Sequence, residues 1–178
     1  LWAKKAGGTS SDGGNSIAID NNGNSYVTGY FSESATFGTT TLTSSGDYDI
    51  YIAKLDSNGN WLWAKKAGGT SSDGGNSIAV DANGNSYVTG SFSGSATFGT
   101  TTLTSSGDDD IFVAKLDING NWLWAKQTGG SYSDGGSSIA VDVNGNSYVT
   151  GCFMVNVTFG TITLSSDGYW DIFVTKLK

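Results

Sequence analysis

The chain has 178 residues, enough for one domain with a sizeable core, and carries 9 basic against 16 acidic residues for a net charge of −7. That balance excludes a nucleic-acid or anionic-membrane surface, which would need clustered Lys and Arg, and no apolar run approaches the ~20 residues that span a bilayer. The 27 glycines, the absence of proline and histidine, and only 14% charged residues beside 12% aromatics describe many short strands joined by tight turns.

Self-comparison fixes the organisation. Trp2, Trp63 and Trp124 are 61 residues apart, as are Asp20, Asp81 and Asp142, and residues 2–62 differ from 63–123 at only eight positions. Within the first copy, residues 1–7 read as a strand, and the glycine-rich link 7–14 carries the chain onward. Residues 16–20 and 25–31 then flank the turn 21–24, whose Gly23 suits the positive φ of a short hairpin loop. A small extra hairpin is expected over 35–44. Residues 49–56 and 61–67 form a second hairpin around the turn 57–60, and residues 50–55 are apolar at odd and even positions alike, the pattern of a strand covered on both faces.

Four such strands are the content of one propeller blade. The chain reads as an all-β, single repeat domain over 1–178, with blades at about 8–67, 69–128, and 130–178 plus 1–7. Its length falls five residues short of three whole periods, so it is three repeats opened at one hairpin turn, and the first strand is placed to complete the last blade. Propellers have about four to eight blades, so the ring is expected to be completed by another chain or by further repeats. Self-association of two chains into six blades is the simplest case, and a β-trefoil, also built of three four-stranded repeats, is the alternative. A start without Met, inside a repeat, is expected of a processed product or a piece of a longer protein.

Residues 75–90, followed by 110–117 and Gly120-Asn-Trp-Leu-Trp124, resemble the SBBP-type β-propeller repeat of bacterial secreted and cell-surface proteins. The resemblance covers essentially the whole chain. It implies a propeller in an extracytoplasmic setting, secreted or at the cell surface, and brings no common catalytic site.

Candidate sites follow from the repeat. Asp12, Asp73 and Asp134 lie in Ser-Asp-Gly-Gly loops and are expected to ring one mouth of the assembly, where exposed carboxylates could meet glycan hydroxyls or a cation. Trp63 and Trp124, paired with Trp61 and Trp122 two residues earlier, are expected to point to one face, either as sugar platforms or as packing between blades. The Asp-x-Asn-Gly-Asn motif at Asp20, Asp56, Asp81, Asp117 and Asp142 has the look of a calcium loop without its distal acid, and an Asx turn explains it without metal. Tyr30, Tyr48, Tyr132, Tyr169 and Trp170 stand where other copies carry other residues and are expected at the surface. Without histidine, and with one thiol at Cys152, no catalytic constellation and no cofactor is expected. The functional expectation is a non-catalytic interaction or structural scaffold with a protein or glycan ligand, and the alternative is a multivalent lectin with one site per blade.

Overall fold

The computed structural model describes residues 1–178 and consists of strands and turns without a helix. The first blade is the antiparallel meander β1 (Asp12–Ile19), β2 (Ser25–Phe31), β5 (Asp49–Leu55) and β6 (Trp61–Gly69), with β3 (Ser34–Phe37) and β4 (Thr40–Thr43) forming a side hairpin. The second is β7 (Gly74–Val80), β8 (Ser86–Phe98), β9 (Thr101–Leu116) and β10 (Trp122–Thr128). Here the side hairpin is continuous with β8 and β9. Gly94 takes a φ of 65° where the other copies force Glu33 and Val155 to 57° and 61°. The third blade has only three main strands, β11 (Gly135–Val141), β12 (Ser147–Phe153) and β15 (Asp171–Leu177), beside the hairpin β13 (Asn156–Phe159) and β14 (Ile162–Ser165).

The blades pack face on face, as two-sided apolar strands demand. Every residue of β5 is buried. Tyr26, Ile50 and Ile52 of the first blade meet Ile78, Val88 and Phe92 of the second in one core layer. Tyr87, Ile111 and Val113 meet Ile139, Val149 and Phe153 in the next. This is a stack of propeller blades and not a trefoil.

Polar stitches hold the inner strands together. A bulge between Gly14 and Ser16 lifts Asn15 out of its ladder, and its amide donates to the Gly75 carbonyl of the next blade at 2.9 Å. Asn76 repeats this with Gly136 at 3.0 Å. The Ser16 and Ser77 hydroxyls accept from the Ile78 and Ile139 amides in turn.

The first strand does not complete the last blade within one chain. Residues 1–6 have no ladder, and Gly7 bridges Thr36 just as Gly68 pairs with Thr97 one repeat later. The Trp2 indole donates to the Ser57 carbonyl at 3.1 Å, matching Trp63 on Ile118 at 3.1 Å. The leading segment therefore lies where a blade ahead of the first would place its outer strand.

Close blade contact depends on glycine. A methyl group at Gly75 would stand 2.3 Å from Thr28 Oγ1 of the neighbouring blade, whereas one at Gly74 would meet nothing within 4 Å. Gly75→Ala is expected to cost about 1–3 kcal/mol and Gly74→Ala little, a contrast that urea midpoints of the two variants will read.

Candidate functional site

The Asp-x-Asn-Gly-Asn turns are closed hydrogen-bond units. Asp20 Oδ1 accepts from the backbone of Asn22 at 2.9 Å and Asn24 at 3.0 Å, while Oδ2 accepts from the Asn24 amide at 2.8 Å. The same bonds recur at Asp56, Asp81, Asp117 and Asp142. Burial acts to raise the Asp20 carboxyl, but the bonds from Asn24 and Asn22 outweigh it and hold the group below the usual carboxylate range. With both oxygens spent on their own turn, these aspartates fit the Asx reading and leave little for a cation. Chelation with EDTA is expected to leave the melting temperature unchanged.

The Ser-Asp-Gly-Gly aspartates are placed differently from the exposed ring expected of them. Asp12 is half-buried, but Asp73 and Asp134 are 2% and 1% exposed. Each is drawn inward because its loop folds around it. Asp73 accepts from the Gly69 amide at 2.7 Å and the Ser93 amide at 3.1 Å, and its own amide donates to the Tyr48 carbonyl of the preceding blade at 2.8 Å. Asp134 makes the matching bonds to Gly130 and Met154. These carboxylates brace loops between blades, and Asp73 also lines the cleft at the mouth between the first two blades.

They are also paired with aspartates that sequence reasoning missed. Asp49 opens β5 and Asp110 holds the equivalent place within β9; both are fully buried, and each leaves Oδ1 without a hydrogen-bond partner. A Cβ on Gly68 would lie 2.6 Å from Asp49 Oδ1 and 3.0 Å from Asp73 Oδ2, so the two carboxylates converge over that glycine. Lys66 offsets the charge in the first blade, 3.3 Å from Asp49 Oδ2, but the equivalent residue in the second is Gln127, which bonds the Thr104 backbone instead. The recurrence of Asp at the head of each β5-like strand was the signal available in the sequence.

Burial pushes the Asp73 carboxyl up to about 6, the Gly69 and Ser93 amides pull it partly back, and the charges of Asp49 and Asp109 add to the rise. A carboxyl raised on folding binds protons more tightly in the folded state, so its destabilising effect is full above pH 6 and fades as the pH falls. The turn aspartates act oppositely, since their stabilisation is lost as the pH drops through the ordinary carboxylate range. Stability is therefore expected to rise on going from pH 7 to pH 5 and to fall below about pH 4. In Asp73→Asn the rise between pH 7 and 5 should shrink, by up to about 2 kcal/mol. Urea midpoints across pH measure both limbs, and an unchanged rise would contradict the assignment.

The tryptophan pairs do not share a face. A bulge at Leu62 sets Lys54 against Trp63 but Leu55 against Trp61, and the extra residue turns the two indoles apart. Trp61 stacks edge-on against Phe37 at 5.3 Å on one side of the blade. Trp63 packs against Tyr26 at 6.1 Å on the other, over the Gly120 turn of the next blade. Trp124 has the same contact with Tyr87 and lies under the Lys126 ammonium. Both Trp63 and Trp124 are half-buried, serving the packing alternative.

An open cleft of about 470 Å³ remains at the mouth between the first two blades. Tyr30 and Tyr48, edge to face at 5.3 Å, form its aromatic wall, and Asn15, Asn76, Ser91 and Asp109 supply polar groups. Tyr132, Tyr169 and Trp170 are exposed, as their variation between copies implied.

Residues 1–30, 62–91 and 123–151 match a family model described as SBBP, beta-propeller repeat. The two internal matches each run from the outer strand of one blade through the first two strands of the next. The chain is similar to an uncharacterized WD repeat-containing protein, L264, of Acanthamoeba polyphaga mimivirus, with 31% identity over 184 residues that take in 86% of the chain. It spans 13% of that relative's length. A solved structure of a protein of unknown function from Bacteroides caccae aligns over 93% of this chain and 61% of its own, at 13% identity and a TM-score of 0.34.

Proposed function

The chain belongs to the SBBP family of beta-propeller repeats, and from that premise we propose that it acts as a non-catalytic interaction and structural scaffold in a secreted or cell-surface protein. The observation that carries this reading is the commitment of its turn aspartates and of Asp73 and Asp134 to the fold. The turn aspartates close their own hairpins, and the buried ones brace the joints between blades. Acid–base or nucleophilic work needs a group left free beside a substrate. The one thiol, Cys152, is raised by burial and by the charge of Asp134, which disfavours the thiolate. Two of the eight positions at which the first two copies differ, Tyr30/Ser91 and Tyr48/Asp109, line the mouth, where loops on a rigid frame are suited to recognition. The likeness of the repeats to those of bacterial extracytoplasmic proteins supports the setting.

A glycan-binding role is the second reading, and the mouth cleft favours it. Its tyrosines, amides and hydroxyl are the groups that stack on and hydrogen-bond a sugar. The platform then lies at Tyr30 and Tyr48 instead of Trp63 and Trp124. A glycan array distinguishes the two. The scaffold reading expects no defined sugar to be retained, whereas retention lost by at least tenfold in Tyr48→Ala establishes the lectin. Turnover of glycoside or ester substrates by the purified chain would defeat both.

A further inference from the structure

We propose that two copies of this chain dock head to tail, each lending its first strand to the third blade of the other, and so close one six-bladed ring. The proposal rests on the propeller reading for its geometry and goes beyond it in naming the partner and the joint.

The two ends of the blade stack are uncovered versions of surfaces that already mate inside the chain. On the first blade, Ile17 is 61% exposed, whereas its counterparts Ile78 and Ile139, each covered by the preceding blade, are 5% and 6% exposed. On the third blade, Ile172 and Val174 are 83% and 74% exposed. Their counterparts Ile50 and Ile52 are both at 0%, and Ile111 and Val113 at 0% and 3%. Tyr148 is 38% exposed where Tyr26 and Tyr87 are at 0% and 1% and donate to Gly84 and Gly145 of the following blade. What covers these faces within the chain is another blade of nearly the same sequence. The free face of the third blade is therefore complementary to the free face of the first.

The strand edges agree. The third blade lacks its fourth strand, and an open groove of about 350 Å³ lined by Phe159, Ile162 and Lys126 lies beside β15. In the first blade, Ile50, Ile52 and Lys54 pair with Ala67, Lys65 and Trp63. One repeat back, that register sets Ala6, Lys4 and Trp2 of a second copy opposite Ile172, Val174 and Lys176. The leading segment already lies in the place of such a strand, held by Gly7 on Thr36 and by Trp2 on Ser57. Charge agrees as well, because Lys5 of the second copy occupies the place of Lys66 and meets Asp171 as Lys66 meets Asp49. At Gly14 no threonine of this chain approaches, although Thr28 and Thr89 crowd Gly75 and Gly136. Only the Tyr51 hydroxyl of its own blade comes near Gly14, at 3.2 Å from a built Cβ, so the place that Thr28 and Thr89 take at the other two glycines is left for Thr150 of the other copy. A head-to-tail joint closes only if its rotation completes a circle, and six blades fall within the usual range.

Light scattering of the 178-residue chain is expected to give twice its 18.4 kDa mass. Ile17→Asp, at a position exposed in the single chain, is expected to return that mass to one copy while the far-ultraviolet spectrum keeps its β form. Separately purified Lys4→Cys and Val174→Cys chains, both with Cys152→Ser, are expected to form a covalent dimer under oxidation only when mixed. A uniform 18.4 kDa species, an open series of masses, or no cross-link in the mixture overturns the ring. A monomer that unfolds cooperatively leaves the scaffold reading standing, since that reading falls only to turnover or a defined sugar.

Discussion

The structure depends on one constraint, that a sheet apolar on both sides must be covered on both sides. Burying a single Ile or Val side chain is worth about 1.5–3 kcal/mol, and β5 alone buries seven consecutive residues. No blade meets that requirement by itself. Repetition supplies the cover, because each copy brings one face that fits the back of the copy before it. The order of the blades and the gathering of their connecting loops at one mouth descend from this stacking.

Polar groups are placed to make the stacking specific. Asn15 and Asn76 reach from a bulge to the neighbouring blade's carbonyl, and Asp73 and Asp134 tie the connecting loops to the strand ends on either side. Carboxylates this buried strain the electrostatics of the joint, and the module tolerates it with a lysine in one blade and without one in the next. A group that costs stability at neutral pH and still recurs at each joint has a geometric task. It fixes how one sheet sits against another, which apolar contact alone leaves loose.

Much of this was legible in the sequence because the repeat displays it several times. The 61-residue period, the two hairpins with their Asn-Gly turns, the side hairpin and the two-faced strands all follow from pattern, and the surface position of Tyr169 and Trp170 followed from their variation. What pattern could not show was depth and local register. Asp73 looks like any loop aspartate until its loop is folded around it. The bulge at Leu62 leaves no mark in the alternation, and it alone decides that Trp61 and Trp63 part company. Asp49 reads as a polar strand end, and only the approach of Gly68 reveals it as half of a carboxylate pair.

The duplication of the outer strand bears on how the molecule reaches its native state. Residues 1–16 and 62–77 are identical, so β5 presents the same edge to either, and contact energy alone does not discriminate between them. Chain connectivity does. The segment 61–69 is tethered to β5 through a short turn, and a hairpin of that kind zips up in microseconds, whereas the leading copy must first close a far longer loop. Correct strand order thus follows from the short connection, through rate and loop-closure entropy, and not from any difference in strand contact. Crowded refolding, in which strangers' strands compete for the same edge, is where that ordering is most easily lost.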